Sequence, residues 1–140
     1  MVVKRIILKS LFLALVVAGL VSCGRSKAKS GDEGQASIAF DTTELWMGSF
    51  PAGSGPRSVV FTFRNEGDAD LEFLDVDGSC WCVSSKYPQK PVKPGKKGEI
   101  EVTVDVSGKD PGKFHHYAYF AVSGSPSQFT LSVRGEITEK

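Results

Sequence analysis

The segment "EIEVTVDV" (residues 99–106) decides the fold, because its side chains alternate strictly between polar and apolar. Ile100, Val102, Val104 and Val106 fall on one side, and two glutamates, a threonine and an aspartate fall on the other. A period of two over this length, carried by β-branched residues, is typical of a strand with one buried face. The segment therefore predicts a sheet that covers a core on one side.

Six further segments also predict strands, and clusters of Gly, Pro, Asn and Asp separate most of them. They are "SIAF" (37–40), "ELWMGSF" (44–50), "SVVFTFRN" (58–65), "LEFLDV" (71–76), "KFHHYAYFAV" (113–122) and "FTLSVRGEI" (129–137). A chain of about seven short strands within roughly 100 residues is typical of an immunoglobulin-like sandwich. We therefore expect an all-β fold, a single antiparallel β-sandwich over residues 37–140.

The N-terminus has the layout of an export signal. Three basic residues lie within the first nine, and an apolar run follows from Leu11 to Val21. This run is too short for a membrane-spanning helix, which needs roughly 20 apolar residues. The run ends in "LVSC" (20–23), which resembles the bacterial lipobox, whose cysteine is lipidated. Residues 1–22 are therefore predicted to be a lipoprotein signal peptide, and Cys23 the lipidation site.

Lipid on Cys23 would make the mature chain a soluble domain held at a membrane. One acyl chain such as palmitate anchors only marginally, whereas the several chains of a bacterial lipoprotein anchor firmly. The residues that follow Cys23, up to residue 36, are all small, polar or charged. Residues 23–36 are therefore predicted to form the lipidated cysteine and a flexible tether. The expected location is the bacterial cell envelope, as an outer-membrane lipoprotein that faces either the periplasm or the cell surface.

Charge and motif content exclude several functions. Residues 1–22 carry three basic and no acidic side chains, which leaves 14 basic and 16 acidic ones after them. This balance argues against a nucleic-acid partner, which requires a clustered basic surface. No catalytic spacing of Ser, His and Asp and no phosphate-binding glycine loop is present. We expect no enzymatic activity and assign no catalytic residue.

A family resemblance rests on three stretches: "FRNEGDADLEFLDVDGSCWCVSS" (63–85), "PVKPGKKGEIEVTVDVSGKDPGKF" (91–114) and "LSVRGEI" (131–137). The N-x-G-D, S-C-x-C and P-G-x-x-G motifs in them resemble those of an uncharacterised family of bacterial lipoproteins. Its members are similar to the immunoglobulin-like domains of Hydin and major sperm protein. They usually carry glycine where this chain has Trp81 and threonine where it has Val83. The resemblance implies an immunoglobulin-like fold and no assigned activity.

The stretch "GSCWCVS" (78–84) holds the most distinctive chemistry. In a straight strand Cys80 and Cys82 would lie about 6.6–6.8 Å apart on one face. A disulfide needs Cβ atoms about 3.5–4.5 Å apart, so a bridge requires the backbone to turn here. A bridge that closes so small a ring would be more reducible than a structural disulfide. The oxidising compartment favours a bridge, but a non-catalytic pair, a redox-active pair and a metal site all remain open.

Histidines could complete a copper or zinc site with the two cysteines, because thiolates are soft ligands. The third strand of an immunoglobulin-like order pairs antiparallel with the sixth, so the segment ending at Cys80 would lie near His115 and His116. Adjacent residues of a strand point to opposite faces, and only one histidine can face the cysteines. Trp46 and Trp81 are expected to pack against the core or its rim.

Two functions follow from these observations. The first is a membrane-anchored, non-enzymatic binding or scaffolding module with a protein or glycan partner and no cofactor. The second is a redox-active or copper- or zinc-handling protein built on Cys80 and Cys82. An immunoglobulin-like fold hosts many functions and does not choose between them.

Overall fold

The computed structural model describes residues 34–140, so the predicted signal peptide, Cys23 and most of the predicted tether lie outside the described residues. This part of the chain forms eight strands and no helix, and therefore contains no helix that could cross a membrane. The strands are β1 (Ile38–Phe40), β2 (Glu44–Pro51), β3 (Pro56–Asn65), β4 (Phe73–Gly78), β5 (Val83–Lys86), β6 (Lys97–Asp105), β7 (Gly112–Val122) and β8 (Gln128–Thr138).

The strands form two four-stranded sheets. The first sheet has the order β1-β3-β6-β5, and the second sheet has the order β2-β8-β7-β4. The predicted all-β sandwich is therefore confirmed. Five of the six strand pairs are antiparallel as expected, but β2 runs parallel to β8. Neighbouring strands of a sheet need not follow one another along the chain, so local sequence does not reveal this pairing.

The core lies where the period of two predicts it. In β6, Ile100, Val102 and Val104 are fully buried. In β3, Phe61 and Phe63 are also buried. Burying one large aliphatic or aromatic side chain contributes roughly 1.5–3 kcal/mol, so these alternating rows supply much of the hydrophobic stabilisation.

Strand β5 is the eighth strand, which the sequence did not predict. Its residues Val83–Lys86 read "VSSK", and only Val83 among them is apolar. Val83 is buried, while the strand pairs with β6 at the edge of the first sheet. A four-residue edge strand with one inward side chain is too short to show an alternation.

The ordered domain begins slightly before the predicted boundary at Ser37. The carbonyl of Gln35 accepts a hydrogen bond from the backbone N–H of Asp68 at 3.1 Å, and that of Ala36 accepts one from Ser125 at 2.8 Å. Ala36 is also buried in the core. The last two residues assigned to the tether therefore belong to the sandwich.

Asn65 joins three parts of the fold, although it is polar and fully buried. Its side-chain amide donates to the carbonyls of Ala69 and Val92 at 2.7 and 2.8 Å. Its side-chain oxygen accepts from the backbone N–H groups of Gly67 and Ser37 at 3.0 and 3.2 Å. A buried polar group of this kind is tolerated because each of its hydrogen-bonding positions is satisfied.

Candidate functional site

The two cysteines lie where the chain leaves the second sheet and enters the first. The backbone N–H of Ser79 donates to the carbonyl of Tyr117 at 2.8 Å, which fixes the end of β4 against β7. A turn follows, in which the Val83 N–H donates to the Cys80 carbonyl at 3.0 Å. A Cβ on Gly78 would lie 2.9 Å from the Val83 carbonyl oxygen, so glycine permits this close approach. The segment therefore has the backbone turn that a bridge requires.

Cys80 and Cys82 form a disulfide across this turn, with their Cα atoms 5.2 Å apart. Cys82 is buried, and Cys80 is partly exposed. Trp81 between them is 87% exposed, so the expectation that it packs against the core or its rim is wrong. The turn directs the two sulfur atoms inward, and the residue between them points to solvent.

His116 lies against the disulfide. Its Nδ1 atom is 3.8 Å from Cys80 Sγ, and its Nε2 atom is 3.9 Å from Cys82 Sγ. The imidazole also stacks on Phe114, with ring centroids 5.5 Å apart and an interplanar angle of 26°. One possible ligand atom from each of these three residues lies within 4.8 Å of the other two. We call Cys80, Cys82 and His116 the Cys–His cluster.

Partial burial lowers the pKa of His116, and electrostatic repulsion of its imidazolium form by Lys109 and His115 lowers it further. Desolvation disfavours the charged imidazolium, and like charges add to that effect. The His116 imidazole is therefore neutral at pH 7. A neutral imidazole can accept a thiol proton or donate a lone pair to a metal ion.

His115 points to the opposite face, as the alternation of β7 requires. Its Nε2 lies 2.6 Å from Ser132 Oγ, and its Nδ1 lies 3.2 Å from the Tyr117 hydroxyl. Ser132 in turn donates to Glu44 at 3.3 Å, and Glu44 pairs with Arg134 at 2.7 Å. Of the two histidines proposed as ligands, the structure brings only His116 to the cysteines.

The outward side of the second sheet carries a row of aromatic side chains, which sequence reasoning did not identify as a site. We call Trp46, His115, Tyr117 and Tyr119 the outer aromatic face. The His115 and Tyr117 rings lie 4.5 Å apart, and the Tyr117 and Tyr119 rings 6.4 Å apart with an angle of 20°. Trp46 is 56% exposed and Tyr119 45% exposed, so of the two predicted positions for Trp46, core or rim, the core is wrong.

The outer aromatic face borders a cavity of about 260 Å³. Tyr119 lies at its wall, together with Asp75, Asp77, Gln128 and Thr130. Phe120 and Phe129 also line it, so the cavity combines aromatic rings with several hydrogen-bonding side chains. The period-two spacing of His115, Tyr117 and Tyr119 in "HHYAYF" (115–120) is the sequence signal that could have revealed this face.

Residues 28–137 match a family described as protein of unknown function (DUF1573). The chain belongs to this family. The predicted membership of an uncharacterised family is therefore confirmed, and the DUF1573 match spans both the Cys–His cluster and the outer aromatic face. No reviewed protein sequence gives a significant match.

Solved structures similar to this DUF1573 chain share its fold at low sequence identity. A protein of unknown function from Porphyromonas gingivalis W83 has a TM-score of 0.61 and 15% identity, and the match covers 74% of this chain and 47% of that one. The PapD-like domain 7 of human CEP192 has a TM-score of 0.58 and 7% identity, with 74% and 86% covered. The chain thus spans about half of the Porphyromonas protein.

A protease also appears among these similar structures. The secreted serine protease VesC from Vibrio cholerae has a TM-score of 0.52 and 10% identity, and the match covers 71% of this chain but 23% of the protease. At such identities the similarity shows the fold alone. The DUF1573 domain is therefore an immunoglobulin-like and PapD-like sandwich, and its function has to be argued from its own surface.

Proposed function

We propose that the protein is a non-enzymatic binding module, anchored to the bacterial cell envelope by lipid on Cys23, that holds an envelope glycan on its outer aromatic face. The observation that carries this proposal is the row of His115, Tyr117 and Tyr119 along β7, with Trp46 on the same side of the sheet beyond Arg134 of β8. Tryptophan, tyrosine and arginine dominate the energetics of binding surfaces. Contiguous exposed aromatic side chains on a soluble domain indicate an interaction site.

The chemistry of this face favours a glycan as the partner. The faces of tyrosine and tryptophan rings bind the C–H surface of a sugar, and their polar edges can bond its hydroxyls. Asp75, Asp77, Gln128 and Thr130 line the adjoining cavity and supply acceptors and donors for further hydroxyl groups. An aromatic wall beside a few well-placed polar groups is the composition of a small-molecule site.

The same residues argue against hydrolysis at this face. Ser132 and His115 lie at the 2.6 Å spacing of a nucleophile and its base. In a catalytic triad, however, a carboxylate orients the histidine through its second nitrogen. Here that nitrogen, Nδ1, faces the Tyr117 hydroxyl, whereas Glu44 lies on the Ser132 side and pairs with Arg134. The network fixes the aromatic rings and does not activate Ser132.

Cys23→Ser is expected to abolish membrane attachment of the protein. Each buried CH₂ of an acyl chain contributes about 0.8 kcal/mol to membrane binding, and serine provides no thiol for the lipid. Cells fed a clickable palmitate analogue test this, since only the parent protein should be labelled and lipid-anchored. Cys80→Ser serves as the control and should keep the label. Labelling of the Cys23→Ser protein would contradict the proposed anchor.

The double substitution Trp46→Ala with Tyr119→Ala is expected to weaken glycan binding by a factor of about 10–100, because single hot-spot aromatic residues contribute about 1–2 kcal/mol or more. Calorimetric titration with soluble peptidoglycan fragments and lipopolysaccharide-derived oligosaccharides measures the change. Both side chains lie outside the core and are about half exposed, so the fold should be retained.

Val60→Ala is the matched control for that substitution. Val60 is 50% exposed and lies on the outward side of the first sheet, away from the outer aromatic face. Its loss should leave glycan affinity unchanged. Equal weakening by Val60→Ala, or binding of none of these glycans by the parent protein, would contradict a glycan site on the second sheet.

A further inference from the structure

We infer that the Cys–His cluster, once its disulfide is reduced, forms a three-coordinate site for monovalent copper, with two thiolate ligands and the His116 imidazole. This site faces the interior side of the second sheet, whereas the outer aromatic face lies on the other side. The inference therefore goes beyond the proposed glycan binding and does not depend on it.

The distances within the cluster fit such an ion. With metal–sulfur and metal–nitrogen bonds of about 2.3 and 2.0 Å, a planar three-coordinate ion separates sulfur from nitrogen by about 3.7 Å. The Nδ1 atom of His116 lies 3.8 Å from Cys80 Sγ, and its Nε2 atom lies 3.9 Å from Cys82 Sγ, so each sulfur is near this distance from a different ring nitrogen. One ligand atom from each of the three residues lies within 4.8 Å of the other two. After reduction the two sulfurs must move apart and the imidazole must turn one nitrogen towards the gap between them, and a Cα separation of 5.2 Å leaves room for both sulfurs to face one ion.

The donor set selects the metal. Thiolates are soft ligands that favour monovalent copper, zinc and iron–sulfur clusters. Structural zinc is almost always bound by four ligands in a tetrahedron. Within residues 34–140 the cluster offers three ligands. Monovalent copper is satisfied by three ligands in a plane, so the cluster matches copper better than zinc.

The surroundings hold these ligands in place. The Ser79 hydroxyl accepts a hydrogen bond from the Tyr117 N–H at 3.0 Å, next to His116 on β7. The carbonyl of Cys82 accepts from the Asp105 N–H at 2.8 Å, which ties the second cysteine to the first sheet. Phe114 stacks on the imidazole and sets its orientation. Contacts of this kind, which orient ligands, matter for metal affinity.

Access to the ligands depends on the redox state of the pair. A dithiol reductant converts the disulfide to two thiols and is itself oxidised to a disulfide. Copper(I) then binds the two sulfurs and displaces both thiol protons to solvent, so no electron is transferred in this second step. The bridge encloses one residue, and a ring this small gives little of the stabilisation that cross-linking a longer loop provides.

Copper(I) titration of the reduced protein tests the site directly. We would use the full chain with Cys23→Ser, purified in detergent, because Cys80 and Cys82 are then its only thiols. Adding Trp46→Phe leaves Trp81, next to both ligands, as the sole tryptophan reporter. Anaerobic competition with a chromophoric copper(I) chelator should give one ion per chain and quench Trp81 fluorescence. The oxidised protein should bind none.

His116→Ala is expected to weaken copper(I) binding by about 100-fold or more, at the upper end of the losses seen when a ligand's orienting partner is removed. His115→Ala, the matched control on the neighbouring residue, should leave the affinity unchanged. X-ray absorption of the loaded parent protein should show two sulfurs and one nitrogen around copper, which tests the ligand set even if His116→Ala unfolds. Equal effects of the two histidine substitutions, a spectrum without nitrogen, or zinc binding without copper binding would overturn the inference.

Discussion

Asn65→Ala is expected to lower the free energy of unfolding by about 3–4 kcal/mol, because each buried group left without its hydrogen bond costs about 1–3 kcal/mol. The substitution removes four hydrogen bonds at once. It leaves the N–H of Ser37 without its partner, whereas the Val92 carbonyl keeps the backbone hydrogen bond from Leu71 at 3.0 Å. A loss of this size would make Asn65→Ala one of the most destabilising single substitutions in the domain.

Urea denaturation followed by circular dichroism measures this loss, with Gln128→Ala as the control. Gln128 is polar and exposed, and its truncation should change the free energy by less than about 0.5 kcal/mol. A loss at Asn65 as small as that at Gln128 would mean that water replaces the side chain. The described role of Asn65 in joining β1, the turn after β3 and the segment at Val92 would then be wrong.

Gly67→Ala is expected to destabilise the domain by about 3 kcal/mol, the upper end of overpacking costs. A Cβ at this position would overlap the Gln35 carbonyl oxygen and lie 2.5 Å from the backbone nitrogen of Ser37. These are backbone atoms, so no side-chain rotation relieves the overlap. The first ordered residues would have to move away from the turn, and the hydrogen bond from Asp68 to Gln35 would break.

Gly34→Ala is the matched control, because the two atoms closest to a Cβ there, at 2.8 and 3.0 Å, belong to the Asp68 carboxylate, which can rotate away, and the nearest backbone atom is 3.1 Å away. Both variants add one methyl group beside the same segment, and thermal unfolding compares them directly. We expect a clear fall in midpoint for Gly67→Ala and a small change for Gly34→Ala. Equal midpoints would show that the N-terminal segment is not packed on this turn.

Local alternation predicts the core of this protein well, because a period of two in β6 and β3 has one physical meaning when one face is buried. Local alternation does not predict which strands pair, because pairing depends on segments that are far apart in the chain. The parallel contact of β2 with β8 joins segments far apart in the chain, and their residues carry no sign of it. Strand β5 was not predicted, because its single buried valine shows no period of two.

The tryptophans show a second limit of sequence reasoning. Hydrophobicity predicts that Trp46 and Trp81 are covered, but both are exposed. Trp46 shares the outward side of the second sheet with Arg134, its register partner on β8. Trp81 sits at the tip of the turn that closes the disulfide. Hydrophobicity gives a preference for burial, whereas strand register and turn geometry decide which way a side chain points.

The Cys–His cluster was predictable in part. Strand alternation requires that one of His115 and His116 face inward, and the antiparallel pairing of β4 with β7 brings that residue towards Cys80. Which histidine it is depends on the register of β7, which only the structure gives. Strand geometry predicts that the backbone must turn at the cysteines. It does not predict the hydrogen bond from the Val83 N–H to the Cys80 carbonyl that makes the turn.

Site-specific photo-cross-linking in living cells tests the central claim, that the outer aromatic face holds the partner. A photoreactive amino acid placed at Tyr119 of the full chain reports what lies on the second sheet, and the same probe at Val60 reports on the first. We predict an adduct from Tyr119 that glycosidases shorten and no adduct from Val60. An adduct from Tyr119 that only proteases degrade would mean a protein partner at the proposed face. No adduct from Tyr119, or an equal one from Val60, would contradict the account.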